Sequence, residues 1–294
     1  MAALALTQHV LRRSGCNARS LRVALRLPGP LLLLALVGSL LCAETPAGKK
    51  LSVAAEQAVY PRPREEVEAL ARRDPLEFLR LSLKWYEAKV TSYACQFHKH
   101  ERIGDKIRKP ETIFMKFREK PFSVYMKWTA DPSKGQEVIY VEGQHDNKAV
   151  VHPSGLLGFI FRKVSLDPEG KIANRHSRRP VTYAGLGNML RVVIPQCEQA
   201  KANGDLVLEY LGVREEAGRP AYVIKRVLPR KHDYRSHQLF IFIDQQFLIP
   251  VRTEAYLWDG TLLSDYRYTD LEINADLMDE DFDPDNAAYS YRLF

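Results

Sequence analysis

The chain has 294 residues, with 43 lysines and arginines against 36 aspartates and glutamates, a formal net charge of +7, and four cysteines. The excess is concentrated: residues 1–43 hold five of the basic residues and none of the acidic, so the remainder carries 38 against 36, a net of +2. A near-neutral remainder excludes the broad basic surface that phosphate-backbone binding needs, and no nucleic-acid partner is expected.

Taken from the start, Arg12, Arg13, Arg19, Arg22 and Arg26 precede an unbroken apolar run from Leu31 to Leu41, and polarity returns at Glu44. That run is well short of the roughly 20 residues that span a bilayer. Basic flank, short apolar core and polar exit predict a secretory signal peptide over residues 1–43, and hence a periplasmic or otherwise extracytoplasmic protein. Cleavage is expected near Ala43. Cys42 raises lipid anchoring, but the residue before it is the large Leu41 where such signals want a small one, so anchoring is the lesser expectation. With the leader gone, Cys95 and Cys197 remain. In an oxidising compartment an even pair can form one disulfide; two buried free thiols are equally compatible with a core of this size.

Residues 44–63 lack an apolar period and carry prolines at 46, 61 and 63, which reads as a flexible linker. A single folded domain is expected over 64–294. It opens with a helix from Arg64 to Arg73 and a second beginning at Asp74 as N-cap, with Pro75 in its first turn and Glu77 completing a capping box. From Ser92 the apolar period changes to two. Strands are predicted over 92–103, 111–118, 123–129, 136–142 and 148–152, then a loop-rich insertion over 153–180 and a helix over 183–202 that Pro195 should kink or divide. A second run of strands follows over 206–213, 221–228, 237–244, 250–257 and 262–271. Meanders without a βαβ alternation predict an α+β fold: one strongly curved antiparallel sheet of about ten strands, an incomplete β-barrel, with helices covering its open face.

Candidate chemistry is sparse. His98 and His100 share one face of a strand beside Glu101, a two-ligand fragment with no further ligands at motif spacing, so an exposed polar face is the simpler reading and no metal or other cofactor is expected. Asp279 to Asp285 alternates acids as calcium loops do but lacks the glycine and late glutamate, and reads as an acidic C-terminal loop. Gly185-Leu186-Gly187 does not complete a dinucleotide fingerprint, and no nucleophile elbow or C-x-x-C occurs. No enzyme is expected. The basic clusters at 175–179 and 226–235 read as solvated loops in preference to anion or membrane-surface sites. The aromatic residues are more informative: Phe97, Phe114, Phe117, Trp128, Tyr140, Phe240, Phe242, Tyr256 and Trp258 fall on or beside the predicted strands. They are expected either to line an apolar cavity under the helices or to fill a solid core.

The phrase FIDQQFLIPVRTEAY, Phe242 to Tyr256, resembles the strand, turn and strand of the LolA/LppX lipoprotein-carrier superfamily, with Asp244, Pro250, Val251 and Arg252 at the matching places. SYACQFHKHERIGDK, Ser92 to Lys106, with the later KGQEVIY, is similar to an exported branch of it, domain-of-unknown-function family 1571. The resemblance implies a helix-lidded half-barrel whose hollow holds acyl chains, and so a non-catalytic, monomeric binding or carrier protein whose partner is a lipid or lipidated protein, with transient membrane contact. The insertion at 153–180 departs from that pattern and leaves the cargo open. The alternative is a cell-envelope interaction or sensor module that keeps the fold and carries no lipid.

Overall fold

The computed structural model describes residues 63–231 and 234–291; the expected leader, Cys42 and the linker up to residue 62 lie outside them. Helix α1 (Arg64–Arg73) leads into α2 (Pro75–Lys89) through Asp74, whose carboxylate accepts the N–H of Glu77 at 3.0 Å. Only half of the expected capping box forms. The N–H of Asp74 already donates to the carbonyl of Leu70 at 2.8 Å, and the Glu77 carboxylate turns instead to Arg80 at 3.1 Å.

The strands are β1 (Ser92–Ile103), β2 (Lys106–Ile107), β3 (Glu111–Arg118), β4 (Ser123–Trp128), β5 (Glu137–Val141) and β6 (Ala149–His152). After the short helix α3 (Gly155–Ile160) come β7 (Val164–Leu166) and α4 (Leu186–Ala202), then β8 (Val207–Glu216), β9 (Arg219–Val227), β10 (Gln238–Asp244), β11 (Pro250–Tyr256) and β12 (Leu262–Ile273). They form one antiparallel sheet in the order β7-β6-β5-β4-β3-β1-β12-β11-β10-β9-β8, with β2 pairing β1. The expected α+β incomplete barrel is therefore the fold, with twelve strands among the described residues. The two beyond expectation, β2 and β7, have two and three residues, too few to display an alternating period.

The pairing of β1 with β12 joins the two meanders, and its register assigns faces. Phe97 stands opposite Tyr268 on one side and Ile113 on the other, and Ile113 opposite Trp128, so these four share the face that the helices cover. Their immediate neighbours point the other way. That outer face is closed over β4, β5 and β6 by the C-terminal segment: Tyr125, Ile139, Val141 and Val150 pack with Phe282, Tyr289 and Tyr291. The acidic loop fastens it, Asp281 meeting Lys116 at 2.6 Å, Asp279 meeting Arg118 at 2.7 Å and Asp285 meeting Lys163 at 2.7 Å.

On the helix side, α4 packs Leu190, Ile194 and Cys197 against α1, α2 and strands β9 to β11. It continues as one helix through Pro195, so of the kink or division expected there the division does not occur. The buried residues on both sides of the proline offset the roughly 3 kcal/mol that an internal proline costs. Cys95 belongs to the cluster at the centre of the sheet and Cys197 to the helix cluster; both are buried free thiols, so the disulfide considered from sequence does not form. Burial pushes both thiols above their ordinary pKa.

Candidate ligand cavity

Between α4 and the covered face of the sheet lies a cavity of about 350 Å³, roofed by residues 166–180 of the insertion and by residues 181–185 that lead into α4. Its floor follows from the register. Phe97, Ile113 and Trp128 form one transverse row, and Met126, Val138 and Val151 form the next, all on the covered face. Tyr268 stacks on Phe97 with ring centroids 4.7 Å apart. Met189, Val192 and Val193 of α4 close it from above.

The start of α4 is set by the glycine pair that failed as a nucleotide motif. Gly185 adopts φ +114°, and a side chain there would drive into the ring of Phe117, which stacks on Tyr93 at 4.9 Å. The Tyr93 hydroxyl accepts the N–H of Leu186 at 2.9 Å, satisfying one of the orphan donors of the helix. Gly187 admits the ring of Tyr86, where any Cβ would collide.

At one rim the cavity wall is polar. Lys99 lies 2.9 Å from Glu111 and 3.3 Å from Glu101. The Trp128 indole donates to Glu111 at 3.1 Å, and the Tyr266 hydroxyl donates to Glu101 at 2.6 Å. Burial and the Glu101 charge push the Tyr266 phenol well above its ordinary pKa, keeping it a hydrogen-bond donor. Around this rim gather Arg178 and Arg179 from the insertion, Arg226 from β9 and Arg235 from the segment before β10. The sequence marked both parent clusters as basic, and reading them as solvated loops holds for part of each: Arg175, Arg230 and Arg235 are exposed, Arg178 and Arg179 are half-buried, and Arg226 is 2% exposed. No spacing rule could have found this, because the two segments meet only when the insertion folds over the sheet.

The aromatic residues nominated from sequence divide three ways. Phe97 and Trp128 line the cavity. Phe117 and Tyr140 share the covered face but belong to solid packing beside it. Phe114, Phe240, Phe242 and Tyr256 stand on the opposite face, and Trp258 sits in a turn, donating to the carbonyl of Leu228 at 3.2 Å. The period of two could not decide which alternate positions face inward, since aromatic side chains occupy both faces.

The residues that carried the resemblance have structural work. Asp244 accepts from the N–H groups of Gln246 and Phe247 at 2.9 and 2.8 Å and holds Arg219 at 2.6 and 3.1 Å, fixing the β10–β11 turn. Pro250 opens β11 opposite Ile243, with Val251 buried beside it. Arg252 clamps Asp265, Glu216 and Glu254 on the outer face, its guanidinium 5.2 Å above the ring of Phe242. His98 also faces outward, its ring nitrogen 3.0 Å from the Thr269 hydroxyl, and no metal-holding cluster occurs among the described residues.

The chain matches none of the curated proteins. Among solved structures it is similar to MucB, at 15% identity and TM-score 0.42 over 71% of this chain and 62% of that one. It is similar to the Mycobacterium tuberculosis lipoprotein LppX, at 15% identity and TM-score 0.42 over 70% of this chain and 98% of that one. It is also similar to a LolA superfamily protein from Nitrosomonas europaea, at 11% identity and TM-score 0.30 over 70% and 97%. This chain thus spans under two thirds of the MucB chain. The family model described as protein of unknown function DUF1571 matches residues 90–291, which takes in every strand and the whole cavity floor, and the chain belongs to that family.

Proposed function

We propose that the protein is an extracytoplasmic, non-catalytic binding or carrier protein that shields a lipid acyl chain in the cavity beneath α4. One observation carries this reading: the aromatic and aliphatic rows on the covered face end in a hollow of about 350 Å³, within the roughly 300–1,000 Å³ of small-molecule sites. Each methylene moved from water into such a hollow gains about 0.8 kcal/mol, so even a partly enclosed chain is held without covalent chemistry. The test is extraction of the purified full chain with organic solvent and mass spectrometry of the extract, with hexadecanol titrated into the delipidated protein. A co-purified lipid or hexadecanol uptake is expected. A chain that yields no lipid and takes up no hexadecanol overturns the reading.

The second reading, an envelope interaction module without cargo, is favoured by a different feature. Leu156, Leu157, Phe159, Ile160 and Phe161, on and just after α3, are 52–76% exposed, an apolar strip that ends at Arg162 and Lys163. Leu157→Ser with Phe159→Ser abolishes capture of a protein partner in this reading and leaves lipid content unchanged in the first.

A further inference from the structure

The cavity is not uniformly apolar, and the register shows how its polarity is distributed. Across the sheet, Glu101 stands opposite Ser264, Ser264 opposite Ala255, Ala255 opposite Leu239 and Leu239 opposite Arg226. Arg226 therefore lies on the same transverse row as Glu101, at the rim, while the rows of Phe97 and Met126 lie further in. Five cationic residues, Lys99, Arg178, Arg179, Arg226 and Arg235, line the cavity against two carboxylates, Glu101 and Glu111. Both carboxylates are already engaged, Glu101 by Lys99, Tyr266 and the backbone N–H of Arg178 at 3.3 Å, and Glu111 by Lys99 and Trp128. Arg226, Arg178 and Arg179 have neutral partners. Arg226 donates to Gln196 at 3.0 Å and to the Ser236 hydroxyl at 2.8 Å, and its buried Nε has no acceptor. Arg178 donates to the carbonyl of Arg102 at 3.0 Å, and Arg179 lies 5.9 Å from the centre of the Tyr183 ring.

Of the four arginines, Arg226 is buried, Arg178 and Arg179 are half-buried and Arg235 is exposed; gathering such like charges, one of them buried, is costly unless an anion joins them. Burial above all, with Arg235 and Arg178 beside it, pushes Arg179 below its ordinary pKa, and burial does the same to Arg226. We infer that the ligand is an anionic amphiphile, its phosphate or carboxylate headgroup received at the rim by Arg178, Arg179, Arg226 and Arg235 and its apolar tail lying on the Phe97 and Trp128 row. The planar donor fork of arginine matches such oxyanions in paired hydrogen bonds. The inference rests on the carrier reading and names its ligand class.

The test follows tryptophan fluorescence of the delipidated full chain, Trp128 being in the cavity wall, during titration with hexadecyl phosphate, hexadecanol and inorganic phosphate. Hexadecyl phosphate is expected to bind at least about tenfold more tightly than hexadecanol, the size of one charged hydrogen bond. The loop variant Arg178→Gln with Arg179→Gln, which avoids the core, brings that ratio close to one, whereas Arg80→Gln on the far surface leaves it unchanged. Equal binding of the two alkyl ligands overturns the headgroup assignment and leaves the carrier reading standing. Inorganic phosphate binding as tightly as hexadecyl phosphate keeps the anion site but overturns the carrier reading. If none of the three binds, both fall.

Discussion

The two flanks of α4 rest on the same sheet and meet opposite fates. On one flank Leu190, Ile194 and Cys197 interlock with α1, α2 and the strands β9 to β11, and Phe78 fills the space with its ring edge-on to Tyr222 at 5.4 Å. On the other flank Met189 and Val192 look across a hollow, because no helix follows there and the roof is a loop that brings arginines instead of leucines. Both floors are apolar strand residues. What separates a solid core from a cavity here is the element placed on top.

That comparison breaks most visibly where packing is complete. Phe78→Ala is expected to cost about 3–5 kcal/mol in denaturant unfolding, because the ring is fully buried and its neighbours are held by three helices. A much smaller loss would mean that this flank is looser than its contacts suggest. Enlarging buried alanines separates the flanks directly. Ala71→Leu, in the packed cluster, should cost about 1–3 kcal/mol by overpacking. Ala149→Leu points into the hollow, so it should cost under about 1 kcal/mol and weaken hexadecanol binding instead. Equal destabilisation by the two would remove the distinction. Trp128→Phe keeps most of the apolar wall but loses the indole donation to Glu111, an effect of about 1 kcal/mol on stability.

The smallest effect concerns pH. His98 is held below its ordinary pKa by burial and by the Arg267 charge, so the unfolded chain binds its proton more readily than the folded one. Stability from this group is full above about pH 6.5 and declines as pH falls through the lower folded value. His98→Gln should flatten that part of the stability profile, read from unfolding midpoints between neutral and mildly acidic pH.

How much of this was legible in the sequence depends on how local the cause is. Asp74 and Pro75 announce the start of α2 because the cap is made within one turn, and the capping box stays half-formed because the Asp74 N–H is taken by the Leu70 carbonyl and Arg80, on the next turn, draws Glu77 away. Strand β3 follows its alternation residue for residue and β1 follows it from Tyr93 to His98, and the family resemblance rests on Asp244 and Arg252, which pair Arg219 and Asp265 of adjacent strands. The cavity is legible only in part. Of the nine aromatics nominated, Phe97 and Trp128 line the hollow, while Phe114 and Phe242 stand on the other face, because a sheet covered on both faces puts aromatic residues on either parity.

The amino-acid sequence by itself thus determined the elements, the antiparallel class and the family, since each depends on spacing within a helix turn, a strand or a hairpin. Tertiary structure alone decided three things: which aromatic residues face the hollow, that Cys95 and Cys197 sit in different clusters, and that arginines from two distant loops share one rim. The physical reason is common to all three. Each depends on which surface a folded segment is pressed against, and that is set by long-range packing among β1, β12, α4 and the insertion, for which neighbouring residues carry no signal.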